Sequence, residues 1–156
     1  MPFFLAAAGA LLGGGLSSAL IARGKTVNAA RKTAILIATV LMPAGTAAAF
    51  VESPYVALVF IGITAFAFQF WVGNVQTLPS DFFPVSAVGS IAGFAGTAAG
   101  LGAMIFTFST GWVVDHYSYR PILITAGLLA PLATGTLFLL AGRIRTLTIS
   151  GHEHHA

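Results

Sequence analysis

Long uncharged runs alternate with short polar breaks along this chain. Five runs are long enough to cross a bilayer, which takes about 20 mostly apolar residues. They cover about 2–22, 33–51, 54–77, 87–114 and 121–141. None alternates at period two, so membrane strands are excluded and helices are predicted, each satisfying its own backbone hydrogen bonds. Prolines mark the breaks. Pro54 and Pro121 open the third and fifth runs, where a missing N–H is harmless. Pro79 and Pro84 bracket an acidic turn, Asp81 to Pro84, and stop helix on both sides. Pro43 and Pro131 fall inside the second and fifth runs and should kink them or be re-satisfied by neighbours.

Composition agrees with the pattern. Of the 156 residues, 57% are hydrophobic and 7% charged. A soluble domain carries about 25% charged residues. The chain is therefore expected to be an all-α membrane protein of five transmembrane helices. Its first run lacks a positive leader and is followed by basic residues, the reverse of a secretory signal, so a retained first helix is expected. With no cysteine, thiolate chemistry and disulfides are excluded. The few basic residues sit between apolar runs, which argues against nucleic-acid binding.

Charge placement sets an orientation. Arg23, Lys25, Arg31 and Lys32 lie between the first two runs, and Arg143 and Arg145 follow the last. The opposite breaks hold Glu52, and Asp115 with Arg120. By the positive-inside rule the basic side is cytoplasmic, with the N-terminus outside and the C-terminus inside. The tail 146–156 is polar and carries three histidines within four residues. Such a cluster could bind a divalent metal weakly, but a frayed, solvated cytoplasmic tail is the expectation.

Candidate chemistry concentrates between Gly62 and Val114. No ionisable residue lies well inside any run, which leaves no proton relay or charged clamp there. No Ser/His pair, carboxylate pair or metal-ligand set occurs in the runs, so no catalytic residue, metal or cofactor is assigned and an enzyme is not expected. Polarity comes instead from amides. Gln69, Gly73 and Gln76 share one helical face, extended by Gly62 and Phe66, while Trp71 and Asn74 form a second patch. Gln69, Asn74 and Gln76 are candidates for directional hydrogen bonds to a small polar solute, with Phe66 as an apolar wall. The competing role is amide bonding between helices. In the fourth run, Gly89, Gly93, Gly96 and Gly100 cluster on one face, continued by Ala103 and Thr107. Such a face is expected to pack closely on another helix and to slide or rock against it. Thr97, beside the stripe, is a further solute-binding candidate.

The segment GNVQTLPSDFFPVSAVGSIAGFAGTAAGLGAMIFTFSTGWVVDHYSYRP resembles the tenth and eleventh helices of a major facilitator superfamily transporter. The similarity points to the anion:cation symporter branch, with its hexuronate and galactonate carriers. Upstream, GGGLSSALIARGKTVNAARK resembles the eighth helix and its basic cytoplasmic loop. Here Ser17 and Ser18 stand near the family's acidic position, which puts that loop's charge relay in doubt. The resemblance covers residues 2 to about 145 and implies a partial C-terminal helical bundle, helices eight to twelve, without the N-terminal half. It implies a sugar acid or related organic anion as substrate, a coupled cation (a proton being the expectation) and alternating access at a midplane site in the inner (cytoplasmic) membrane. It places Gln76 at a tenth-helix contact and Thr97 where some relatives carry an asparagine. Without the opposite half, transport by this chain is expected to fail. The other reading is a small assembly or regulatory subunit that docks partner helices through its glycine face.

Overall fold

A computed structural model describes residues 2–141. Among them every regular element is helical: α1 (Pro2–Ala22), α2 (Val27–Leu41), α3 (Ala44–Ala48), α4 (Pro54–Val75), α5 (Leu78–Phe82), α6 (Val85–His116) and α7 (Arg120–Ala141). Four helices are long and apolar enough to cross a membrane, α1, α4 running on through α5, α6 and α7. The second expected span is the exception.

That span is interrupted at Met42–Pro43, where the backbone stays right-handed but the regular ladder gives way to turns. Proline at position 43 supplies no N–H and crowds the preceding turn, so α2 stops at Leu41 and α3 restarts at Ala44. Pro131 lies inside α7, yet that helix continues past it. The difference follows from the neighbours. The short α3 seats between α4 and α7: a side chain at Gly45 would lie 3.0 Å from Thr64 Oγ1, and one at Gly127 would meet Thr46. Tertiary contact on both sides therefore holds the break at Pro43 open.

α2 also begins earlier than expected. Thr26 caps it by accepting a hydrogen bond from the Ala29 N–H at 3.2 Å. Gly24, with φ of +83°, makes the turn from α1, a backbone region glycine enters without strain. As a result Arg31 and Lys32 ride on the first turns of α2, not on a loop.

The core is small and made of small residues. Ala34 and Ala38 of α2 and Phe70 of α4 form its centre, with Leu16, Phe66 and Trp71 packed around them. Large apolar side chains such as Phe4, Leu11, Val40, Phe94, Phe108 and Leu139 face outward, as lipid or further helices require. α6 has no buried residue, and its principal contacts are with its chain neighbours α5 and α7.

Candidate functional site

The closest helix pair is α1 with α4, which run parallel in matching register. Gly9, Gly13 and Ser17 recur every fourth residue of α1 and are all buried. A Cβ at Gly9 would fall on the Phe66 carbonyl, and one at Gly13 would come within 2.7 Å of the Phe70 oxygen. Only glycine admits such an approach of two backbones, and dispersion then acts along the full contact. From α4, Gly62 lies against Leu5 and Gly73 against Ala10. This stripe on α1 was not singled out from sequence, although its small-xxx-small spacing is the available signal.

The expected amide stripe divides on this interface. Asn74 is fully buried, and its Nδ2 donates to the carbonyls of Gly13 and Phe70, both at 3.0 Å. It thus makes the interhelical bond that competes with solute binding, while its Oδ1 is buried without a partner among the described residues. Phe66, expected to wall a solute, presents its backbone carbonyl to Gly9, and its ring lies 5.9 Å from that of Phe70. Gln69 is half-buried and Gln76 exposed, and neither side chain makes a hydrogen bond among the described residues. Thr97 is exposed on α6, its hydroxyl donating back to the Gly93 carbonyl at 3.0 Å. α6 does not pack on α4 as it does on α5 and α7, so Thr97 is not assembled with the α4 amides into one cluster. The glycines of α6 are equally bare. Side chains added at Gly89, Gly93, Gly96 or Gly100 would meet nothing within 4 Å. The close packing expected of them is not made among the described residues.

At the basic-loop end, three residues read separately in the sequence come together. Arg31 Nε donates to Asp81 Oδ2 at 2.9 Å, and its Nη1 donates to Ser17 Oγ at 2.7 Å. The Ser17 hydroxyl donates in turn to the Gly14 carbonyl at 3.1 Å. Both charged side chains are largely buried, a setting in which each needs the other. The carboxylate that faces Arg31 at this end comes from α5, not from the Ser17–Ser18 position. Asp81 lies in α5, within the stretch expected to be an acidic turn. Nearby, the Lys32 ammonium stands over the Phe138 ring, 5.3 Å from its centroid, tying α2 to α7.

A second polar chain crosses the apolar interior. Trp71 Nε1 donates to Thr134 Oγ1 at 2.8 Å, and the Thr134 and Thr39 hydroxyls lie 2.8 Å apart. Thr39 donates its proton to the Ile35 carbonyl at 2.7 Å, so Thr134 must donate to Thr39. Every donor has one acceptor along this line, and α4, α7 and α2 are joined without a buried charge. Among the described residues no group of three His, Cys, Asp or Glu side chains is placed to hold a metal. The histidines of the tail lie outside the described residues.

No family model matches the chain. It is similar to the hexuronate transporter of Escherichia coli K12, 32% identical over 124 residues, covering 78% of this chain and 28% of that protein. It is also similar to the D-galactonate transporter of Escherichia coli O6:H1, 24% identical over 145 residues, 93% of this chain and 34% of that protein. The chain thus spans about a third of the length of the curated relatives it matches. The similarity is to transporters and not to enzymes. Together with the four apolar helices, it makes the chain a multi-pass membrane protein.

Proposed function

We propose that residues 1–145 form part of the C-terminal helical bundle of a major facilitator transporter for a sugar acid or related organic anion. The similarity to the hexuronate and D-galactonate transporters carries this reading. The solute would bind near the midplane, between this bundle and helices supplied by the rest of a relative-length protein. Alternating access would rock one body against the other, coupled to a cation, a proton in the simplest case. The basic-loop end, with Arg31 and Asp81, would face the cytoplasm, with the tail 146–156 on the same side of the inner membrane.

Within this reading Gln69 is the α4 group for the solute near the midplane and Gln76, at the C-cap of α4, meets it on the basic-loop side; the amides of both are unengaged among the described residues. Thr97 on α6 is the third. Asn74 serves mainly by locking α4 to α1, with its free Oδ1 the remaining acceptor. Gly89, Gly93, Gly96 and Gly100 offer a face on which a helix from outside residues 2–141 can slide.

The test is a chimera in which residues 2–141 replace the matching segment of the hexuronate transporter. Uptake of labelled glucuronate is expected in proteoliposomes, and Gln76→Ala should reduce it at least about tenfold, the loss of one buried polar contact. The chain alone should show none. A correctly inserted chimera without uptake, or uptake indifferent to Gln69, Gln76 and Thr97 together, overturns the reading. The bare glycine face of α6 also fits a subunit that docks a partner helix, and capture of one partner by an inactive chimera would favour that.

A further inference from the structure

We propose that Gly13–Gly15 of α1 is a hinge whose setting is held by the Arg31–Asp81 ion pair through Ser17. The proposal concerns α1 itself and does not depend on what is transported.

The hinge begins with three consecutive glycines in the middle of a membrane-length helix. Glycine leaves more backbone freedom than any other residue. Gly13 packs on Phe70, but Gly14 and Gly15 have nothing within 4 Å of a would-be Cβ. The half of α1 that follows them is therefore not fixed by contact at these two positions.

Two carbonyls at this point have side-chain partners from outside the helix ladder. The Gly13 oxygen accepts from Asn74 Nδ2, and the Gly14 oxygen accepts from Ser17 Oγ. In an α-helix the same oxygens serve the N–H groups four residues on, those of Ser17 and Ser18. A carbonyl has two lone pairs, so both bonds fit together. When the ladder opens here, neither oxygen is left bare in an apolar setting, and the usual penalty for bending a membrane helix falls away. Glycine and serine close together mark recurrent bend sites, and here Leu16 alone separates Gly15 from Ser17, whose hydroxyl bonds back to the Gly14 carbonyl.

Control comes from the basic-loop end. Ser17 Oγ donates to Gly14 and accepts from Arg31 Nη1, and Arg31 Nε is held by Asp81. α5 and the start of α2 are thereby linked to the mid-helix glycines. With the ion pair made, Arg31 fixes the Ser17 hydroxyl and the half of α1 that carries it. With the pair broken, Arg31 is free to leave and the arm from Gly15 to Ala22 can swing.

The chain has no cysteine, so labelled cysteine pairs carry no background. One pair, at Ala22 and Gln76, reports the basic-loop ends of α1 and α4; another, at Phe3 and Tyr55, reports their opposite ends. All four positions are exposed. Interspin distances are measured on the full chain in lipid nanodiscs. A bend of about 20° swings an arm of eight residues by about 4 Å. Asp81→Asn is expected to shift or broaden the Ala22–Gln76 distance by about 4 Å and to leave Phe3–Tyr55 unchanged. Asp81→Asn with Arg31→Met, which keeps the Ser17–Gly14 bond and leaves no unpaired buried charge, should do the same and stands in if Asp81→Asn does not fold. Gly14→Ala with Gly15→Ala, added to either variant, should restore the narrow parent distance. The proposal falls if Asp81→Asn with Arg31→Met leaves Ala22–Gln76 unmoved, if both pairs move together as a rigid tilt, or if the alanines fail to restore the distance.

Discussion

Two helices of this chain carry glycine stripes, and the two meet opposite surroundings. On α1, Gly9 and Gly13 press against the backbone of α4. On α6, Gly89, Gly93, Gly96 and Gly100 face open space. The composition signal is the same and was stronger on α6. What separates them is the presence of a partner within reach: α4 runs parallel to α1 and presents matched small positions, while α6 touches mainly its chain neighbours. A glycine stripe thus records that a helix is shaped for close approach and is silent on who approaches.

The comparison is most easily broken by filling each stripe. Gly13→Leu must push two backbones apart, and overpacking of this kind should remove about 3 kcal/mol, or about 10 °C of thermal midpoint in detergent. Gly96→Leu should change the midpoint of the same chain by less than about 1 °C, since nothing is displaced. Equal losses would erase the distinction.

The α1 stripe is also tied at its basic-loop end, and α6 is not. Asp81→Asn leaves the Arg31 guanidinium largely buried without its carboxylate, and should cost about 2 kcal/mol. A double-mutant cycle with Arg31→Met should recover most of that as coupling energy, measured by denaturant unfolding.

Smaller effects sharpen the picture of the interior. Trp71→Phe removes the donor that starts the line through Thr134 to Thr39 and should cost about 1 kcal/mol. Pro43→Ala should change stability by less than about 1 kcal/mol, because α3 is held by Thr64 and Gly127 as well as by the proline. Tryptophan fluorescence and thermal unfolding read both.

Much of the fold was legible because lipid leaves few choices. The run 2–22 is free of charge and became α1 with those bounds. Runs four and five grew by one or two residues at their ends. The second run is helical as expected but interrupted at Pro43, because a proline in an apolar segment dictates a defect without fixing its extent. Arg31 and Lys32 were assigned to a loop on charge alone, although Thr26 was an available cap for an earlier start. The candidate site was less legible. Polarity marked Gln69, Asn74 and Gln76 alike, but a difference of two residues sends Asn74 into α1 and leaves Gln76 outside. The Arg31–Ser17–Asp81 chain spans three elements distant in sequence, and no local pattern announces such a meeting.

The bare α6 face and the transport reading meet in one measurement, glucuronate uptake by the chimera carrying Gly96→Leu. The account predicts that uptake is lost while the variant chain keeps its parent thermal midpoint, because the leucine blocks a helix that the transporter supplies from elsewhere. Uptake at the parent rate would contradict it, showing that no moving partner covers this face.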